Sequence, residues 1–99
     1  MPESAAELDR FLHAIADPTR RRILEALKEK GGNSLGKDTG LCAFDIEQRV
    51  KLAQPTISHH MRILEKASVV LVSREGHWHW YRRNERLLSQ MMRYLKKQL

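Results

Sequence analysis

The chain has 99 residues, 41% hydrophobic and 30% charged, with a net charge of +6; this suits one folded domain over residues 1–99, not a disordered chain, and favours a polyanionic partner such as DNA, RNA or an acidic surface. A single cysteine, Cys42, excludes a disulfide framework, and the longest apolar runs, Val69–Val72 among them, are far too short to span a bilayer. Met1–Ser4 is polar with no apolar segment behind it, so a cytoplasmic location without membrane contact is expected.

The first helix is predicted to start at Ser4, where Ser4 and Glu7 have capping-box spacing. Leu8, Phe11, Leu12, Ile15 and Ala16 then recur at helical spacing. Asp17-Pro18 ends this helix and opens the next, since Asp17 suits a cap and Pro18 has no N–H to lose at the first helical position. Ile23, Leu24 and Leu27 form the second apolar stripe. Arg20, Arg21 and Arg22 lie against the dipole of that helix start; a bound phosphate would relieve the conflict, and a solvated face is the commoner outcome. Gly31–Gly40 holds four glycines and little to bury, and is predicted as a loop.

Asp45 with Gln48 resembles a second capping pair, opening a short helix to about Val50. Lys51-Leu52-Ala53 is a tight connection, and Gln54-Pro55 opens a helix to Lys66 with Ile57, Met61 and Leu64 as its apolar stripe. Val69–Ser73 is a β-branched strand, Arg74–His77 a turn with positive φ at Gly76, and Trp78–Arg82 the aromatic return strand. Asn84 caps a last helix whose apolar positions are Leu87, Leu88, Met91, Met92, Tyr94, Leu95 and Leu99. That face is wider than one chain of this size needs, which points to a second chain.

This order is mainly α with a small β-hairpin: the winged helix-turn-helix layout, α-α-α-α-β-β-α. A helix that protrudes after a tight turn fits the major groove, and a hairpin beside it reaches backbone or minor groove. Opposite Ile57, Met61 and Leu64 lie Gln54, Thr56, Ser58, His59 and Arg62, all able to hydrogen-bond base edges or phosphates. His60 sits at the edge of the apolar stripe and is assigned a structural hydrogen bond to a neighbouring helix. The Ser73–Arg83 wing carries Arg74, His77 and Arg82 as candidate DNA contacts, with His79 and Arg83 nearby. Trp78 and Trp80 share a strand face, and one or both are expected to pack under the wing.

The runs Ala16–Leu24, Gln54–Leu64 and Arg74–Trp78 together resemble the ArsR/SmtB-type transcriptional repressors, over nearly the whole chain except the Gly31–Gly40 loop. The resemblance implies a homodimer built on the first and last helices, with Leu8, Phe11, Leu12, Leu88, Met91, Met92 and Leu95 at the interface. It implies binding to a palindromic operator in double-stranded DNA, with Gln54, Thr56, Ser58 and His59 at the reading positions. Ser68 and Lys51 stand where relatives often carry a turn glycine, and Ala53 where they carry a Ser or Thr cap.

One metal site of that family uses two cysteines, one residue apart, at the start of the third helix; here Phe44 stands where the second would be. A lone thiolate holds a soft cation poorly. The other family site sets Asp and His pairs on the last helix, and Asn84–Leu99 contains neither. No metal or cofactor is therefore expected, and Cys42 is read as a small buried residue. An enzyme is excluded for want of a glycine-rich phosphate loop or a nucleophile elbow. Two other functions remain open: an RNA or single-strand binder using the wing tryptophans, and a winged-helix protein-interaction module.

Overall fold

The computed structural model describes residues 5–28 and 40–99. Its elements follow the expected order: α1 (Ala5–Ala16), α2 (Pro18–Ala26), α3 (Ala43–Val50), α4 (Gln54–Lys66), β1 (Val70–Glu75), β2 (Trp78–Arg83) and α5 (Glu85–Gln98). The Ser4 cap and residues 31–39 of the glycine loop lie outside the described residues.

The α1–α2 corner is set by Asp17-Pro18. Asp17 has extended backbone and accepts a hydrogen bond from the Arg20 backbone N–H at 3.0 Å, with Pro18 in the first turn. That bond lowers the Asp17 carboxyl below the usual carboxylate range.

Helix α3 starts at Ala43 with Cys42 in the cap position, three residues before the expected Asp45 cap. Asp45 lies in the first turn, and its carboxylate accepts from the Cys42 backbone N–H at 3.1 Å. It therefore serves as the returning half of a capping box whose leading residue is Cys42.

β1 and β2 pair antiparallel, with Ser73 opposite Trp80 and Glu75 opposite Trp78. Arg74 and Glu75 belong to β1, so the turn shrinks to Gly76-His77, with Gly76 at φ +60°. Leu41 adds a short third rung: its N–H donates to the Tyr81 carbonyl at 2.9 Å and its carbonyl accepts from Tyr81 N–H at 2.7 Å. This rung ties the chain just before α3 to the wing.

One apolar cluster draws on every helix: Phe11, Ile23, Ile46, Ile57, Leu64 and Met91 are buried together with Leu41 and Val70. Phe11 and Met91, expected at a dimer interface, are 0% and 1% exposed. Their surface is already covered by their own chain, so they have none to offer a partner. Leu8, Leu88 and Leu95 are partly buried against the core, while Leu12 and Met92 are exposed. Met91 is the single buried residue of α5.

Helix α4 ends in a Schellman motif. Val69 N–H bonds back to Leu64 O at 3.0 Å and Ser68 N–H to Glu65 O at 2.9 Å. This holds Ser68 at φ +60°, and Lys51 at the end of α3 has the same φ. An L side chain is strained there. Ser68→Gly and Lys51→Gly are each expected to raise stability by about 0.5–1 kcal/mol, after the entropy glycine loses on folding. The check is a higher urea midpoint at unchanged denaturant slope.

Asn84 closes the wing. Its side-chain amide donates to Ser68 O at 2.9 Å, its backbone N–H donates to Val69 O at 2.9 Å, and its Oδ1 accepts from Leu87 N–H at 3.2 Å. It therefore joins the end of α4, the root of β1 and the start of α5.

Candidate nucleic-acid interface

Ile57, Met61 and Leu64 are buried and turn one face of α4 into the core. The opposite face presents Gln54, Thr56, Ser58, His59 and Arg62, all exposed. Ala53 gives no side-chain cap, so the start of α4 lacks one of the usual bonds to its free N–H groups.

The wing lies alongside. A groove of about 410 Å³ separates it from the helices, and Gln54 and Ser58 of α4 face His77, Trp78, His79 and Tyr81 of the wing across it. The structure thus brings Gln54, Ser58 and His77 to one groove. Thr56, His59 and Arg62 lie outside its lining, on the exposed face of α4. Arg74 reaches back to Glu65 on α4 at 3.4 Å, an exposed ion pair that leaves much of the guanidinium accessible. Arg82 is exposed on the strand face that carries Trp78 and Trp80.

Trp80 is buried and Trp78 is half-exposed, stacked on it with centroids 5.6 Å apart and 14° between planes. Trp78 is therefore anchored on one side and open on the other. Burial raises the Tyr81 phenol above its ordinary range and keeps it neutral.

Arg21 and Arg22 are exposed, as expected of the arginine run, and Arg20 departs from it. Arg20 is only 6% exposed. Its Nε donates to Ala14 O at 2.6 Å, its Nη2 to His13 O at 3.0 Å, and its Nη1 meets His60 Nδ1 at 3.2 Å. Arg21 donates to Ile15 O at 2.7 Å and Arg22 to Val50 O at 2.7 Å. The run thus satisfies carbonyl oxygens at the ends of α1 and α3 that have no intrahelical partner. His60 makes the structural hydrogen bond assigned to it, and the role of Arg20 was missed. The signal was Asp17-Pro18: a sharp corner turns the first residues of α2 back over the open carbonyl end of α1.

Cys42 is buried, and its thiol donates to the Asp45 carboxylate at 3.2 Å. Burial pushes the thiol above its ordinary range, which disfavours the thiolate needed for metal binding or oxidation. Among the described residues, no group of three or more His, Cys, Asp or Glu side chains stands close enough to hold a metal ion.

A family model described as a helix-turn-helix domain matches residues 15–73. An HTH-type transcriptional regulator of Methanocaldococcus jannaschii is 42% identical over 79 residues, covering 80% of this chain and 76% of its own. The transcriptional repressor SdpR of Bacillus subtilis is 34% identical, covering 89% and 88%. The arsenical resistance operon repressor of Staphylococcus aureus is 34% identical, covering 93% and 80%. Among solved structures, an ArsR family transcriptional regulator superposes with a TM-score of 0.76 at 20% identity, covering 99% of this chain and 92% of that one.

Proposed function

The chain belongs to the ArsR-type helix-turn-helix transcriptional regulators, which bind DNA and are not enzymes, and we propose that it acts as a homodimeric repressor reading a palindromic operator with α4. The observation that carries the assignment of α4 is its exposed face. The side chains of Gln54, Thr56, Ser58 and Arg62 make no hydrogen bond to the described residues, and that of His59 only an edge-on ring contact with His60. Base-compatible groups left free on a helix fixed by its other face suit major-groove reading. Arg74, His77 and Arg82 on the wing supply phosphate or minor-groove contacts.

The dimer reading rests on α5 and α1. Apart from Met91, α5 leaves its large apolar side chains partly or fully exposed, and Leu8 and Leu12 of α1 add to that surface. No described helix is long and apolar enough to cross a membrane, and the proposed location is the cytoplasm. We propose no metal or cofactor: Cys42 is the chain's one thiol and is tied to Asp45.

The test begins by selecting an operator from random duplexes. Gln54→Ala and His59→Ala are expected to lose about 5- to 100-fold in operator affinity with little change on random duplex. Arg74→Ala is expected to weaken both about equally. If a dimer neutralises roughly six phosphates, log affinity falls against log salt with a slope near −5. Equal losses on operator and random DNA for all three variants would remove the reading assignment.

The half-exposed Trp78 favours one other reading, binding of single strands by stacking. Tryptophan fluorescence titrations with duplex and single strand separate the two, and tighter binding of the single strand would reverse their order.

A further inference from the structure

We propose that His60 positions the recognition helix against the α1–α2 corner, and that it does so only as a neutral imidazole, so that acid weakens the grip of this chain on DNA. The inference rests on α4 being the helix that reads DNA.

It starts from a constraint on donors. A guanidinium offers N–H donors and no acceptor. With Arg20 Nη1 at 3.2 Å from His60 Nδ1, the ring nitrogen must therefore accept. That fixes the neutral ring with its proton on Nε2. Arg20 is not free to swing away, because the Ala14 and His13 carbonyls hold its Nε and Nη2 at 2.6 and 3.0 Å. A protonated His60 would lose its hydrogen bond and face a cation fixed in place.

Three charged or titratable neighbours act on the ring. Asp17, at the α1–α2 corner, favours its protonation; Arg20 on α2 and His59 on α4 oppose it. Burial opposes it most, and the result holds the imidazole below its ordinary range. A His60 released from the corner takes up its proton near pH 6.5, whereas the docked ring resists it. The contact is therefore complete above about pH 6.5 and is lost as pH falls below it. His59 lies next in the chain, with its ring 5.4 Å from that of His60, and belongs to the proposed reading set. Displacing one ring disturbs the other.

Acid also adds positive charge elsewhere on a basic chain, which alone strengthens attraction to phosphate. One substitution separates these opposed effects. His60→Asn keeps an acceptor near the Nδ1 position and does not protonate. The whole chain and this variant are titrated with a mixed-sequence duplex at constant ionic strength. At about pH 7.5 the two are expected to bind within about twofold; at about pH 5.5 the variant is expected to bind about five- to tenfold tighter, since one pKa unit is a factor of ten. Coincident pH profiles would overturn the proposal. So would loss of binding by a folded His60→Asn at neutral pH, which would show that more than the acceptor is needed.

A second measurement is independent of DNA and of the variant's folding. Histidine ring resonances of the wild-type chain are followed by NMR through the same pH range. The His60 ring is expected to titrate below the ordinary histidine value of about 6.5; titration at or above that value would overturn the proposal. If the wild-type chain binds no duplex, the reading role of α4 fails, and the NMR titration alone decides whether His60 is held neutral.

Discussion

Replacing Arg20 with alanine is expected to destabilise the fold by about 3 kcal/mol. The guanidinium is buried and holds three acceptors at once: the Ala14 and His13 carbonyls and the His60 ring. Hydrogen bonds from a charged donor contribute about 1.5–3 kcal/mol each, and truncation leaves the Ala14 carbonyl buried and unpaired, with the other two acceptors partly buried. Arg20→Lys keeps the charge but not the fork and is expected to lose about 2 kcal/mol. Arg21→Ala is the control. Arg21 also caps a carbonyl, that of Ile15, but it is exposed, and its loss is expected to stay within about 0.5 kcal/mol. Urea unfolding followed by circular dichroism measures all three. An Arg20→Ala loss no larger than that of Arg21→Ala would mean that the buried fork contributes nothing beyond an exposed one.

Gly40→Ala is expected to cost about 2–3 kcal/mol and to weaken DNA binding with it. Gly40 has φ +101°, and a Cβ there would run into the Tyr81 carbonyl, well inside contact distance. Tyr81 cannot retreat without breaking the paired hydrogen bonds to Leu41 that join the start of α3 to the wing. Gly76 isolates the two contributions. Its φ is +60° and nothing lies within 4 Å of the Cβ an alanine would bring. Gly76→Ala therefore reports backbone strain alone, about 1 kcal/mol. Thermal unfolding of the pair gives the difference, and equal losses would show that the close approach at Tyr81 carries no cost.

The elements were largely legible in the sequence because apolar spacing sets them. Ile57, Met61 and Leu64 mark the buried face of α4 whatever surrounds it, and Asp17-Pro18 marks a helix start by chemistry local to the corner. The exposed polar set on α4 follows from the same periodicity. Boundaries decided at a distance were not legible. Asp45 has the side chain of a cap, but the chain reaches helical geometry three residues earlier because Leu41 is already pinned to Tyr81. Phe11 and Met91 have the spacing of interface residues, and only packing tells an apolar side chain used at home from one left for a partner. Arg20 was the least legible. Three consecutive arginines look alike in sequence, and a corner formed by other residues decides which of them is enclosed.

Asn84 has one more consequence. It grips Ser68 and Val69 at the root of the wing while opening α5, so the axis of α5 is referenced to the end of α4 and not to a slack tether. Two copies joined through α5 would then behave as a calliper. The span between their α4 helices would be metered at this one asparagine, and with it the number of base pairs between operator half-sites, roughly one helical turn or a multiple of it.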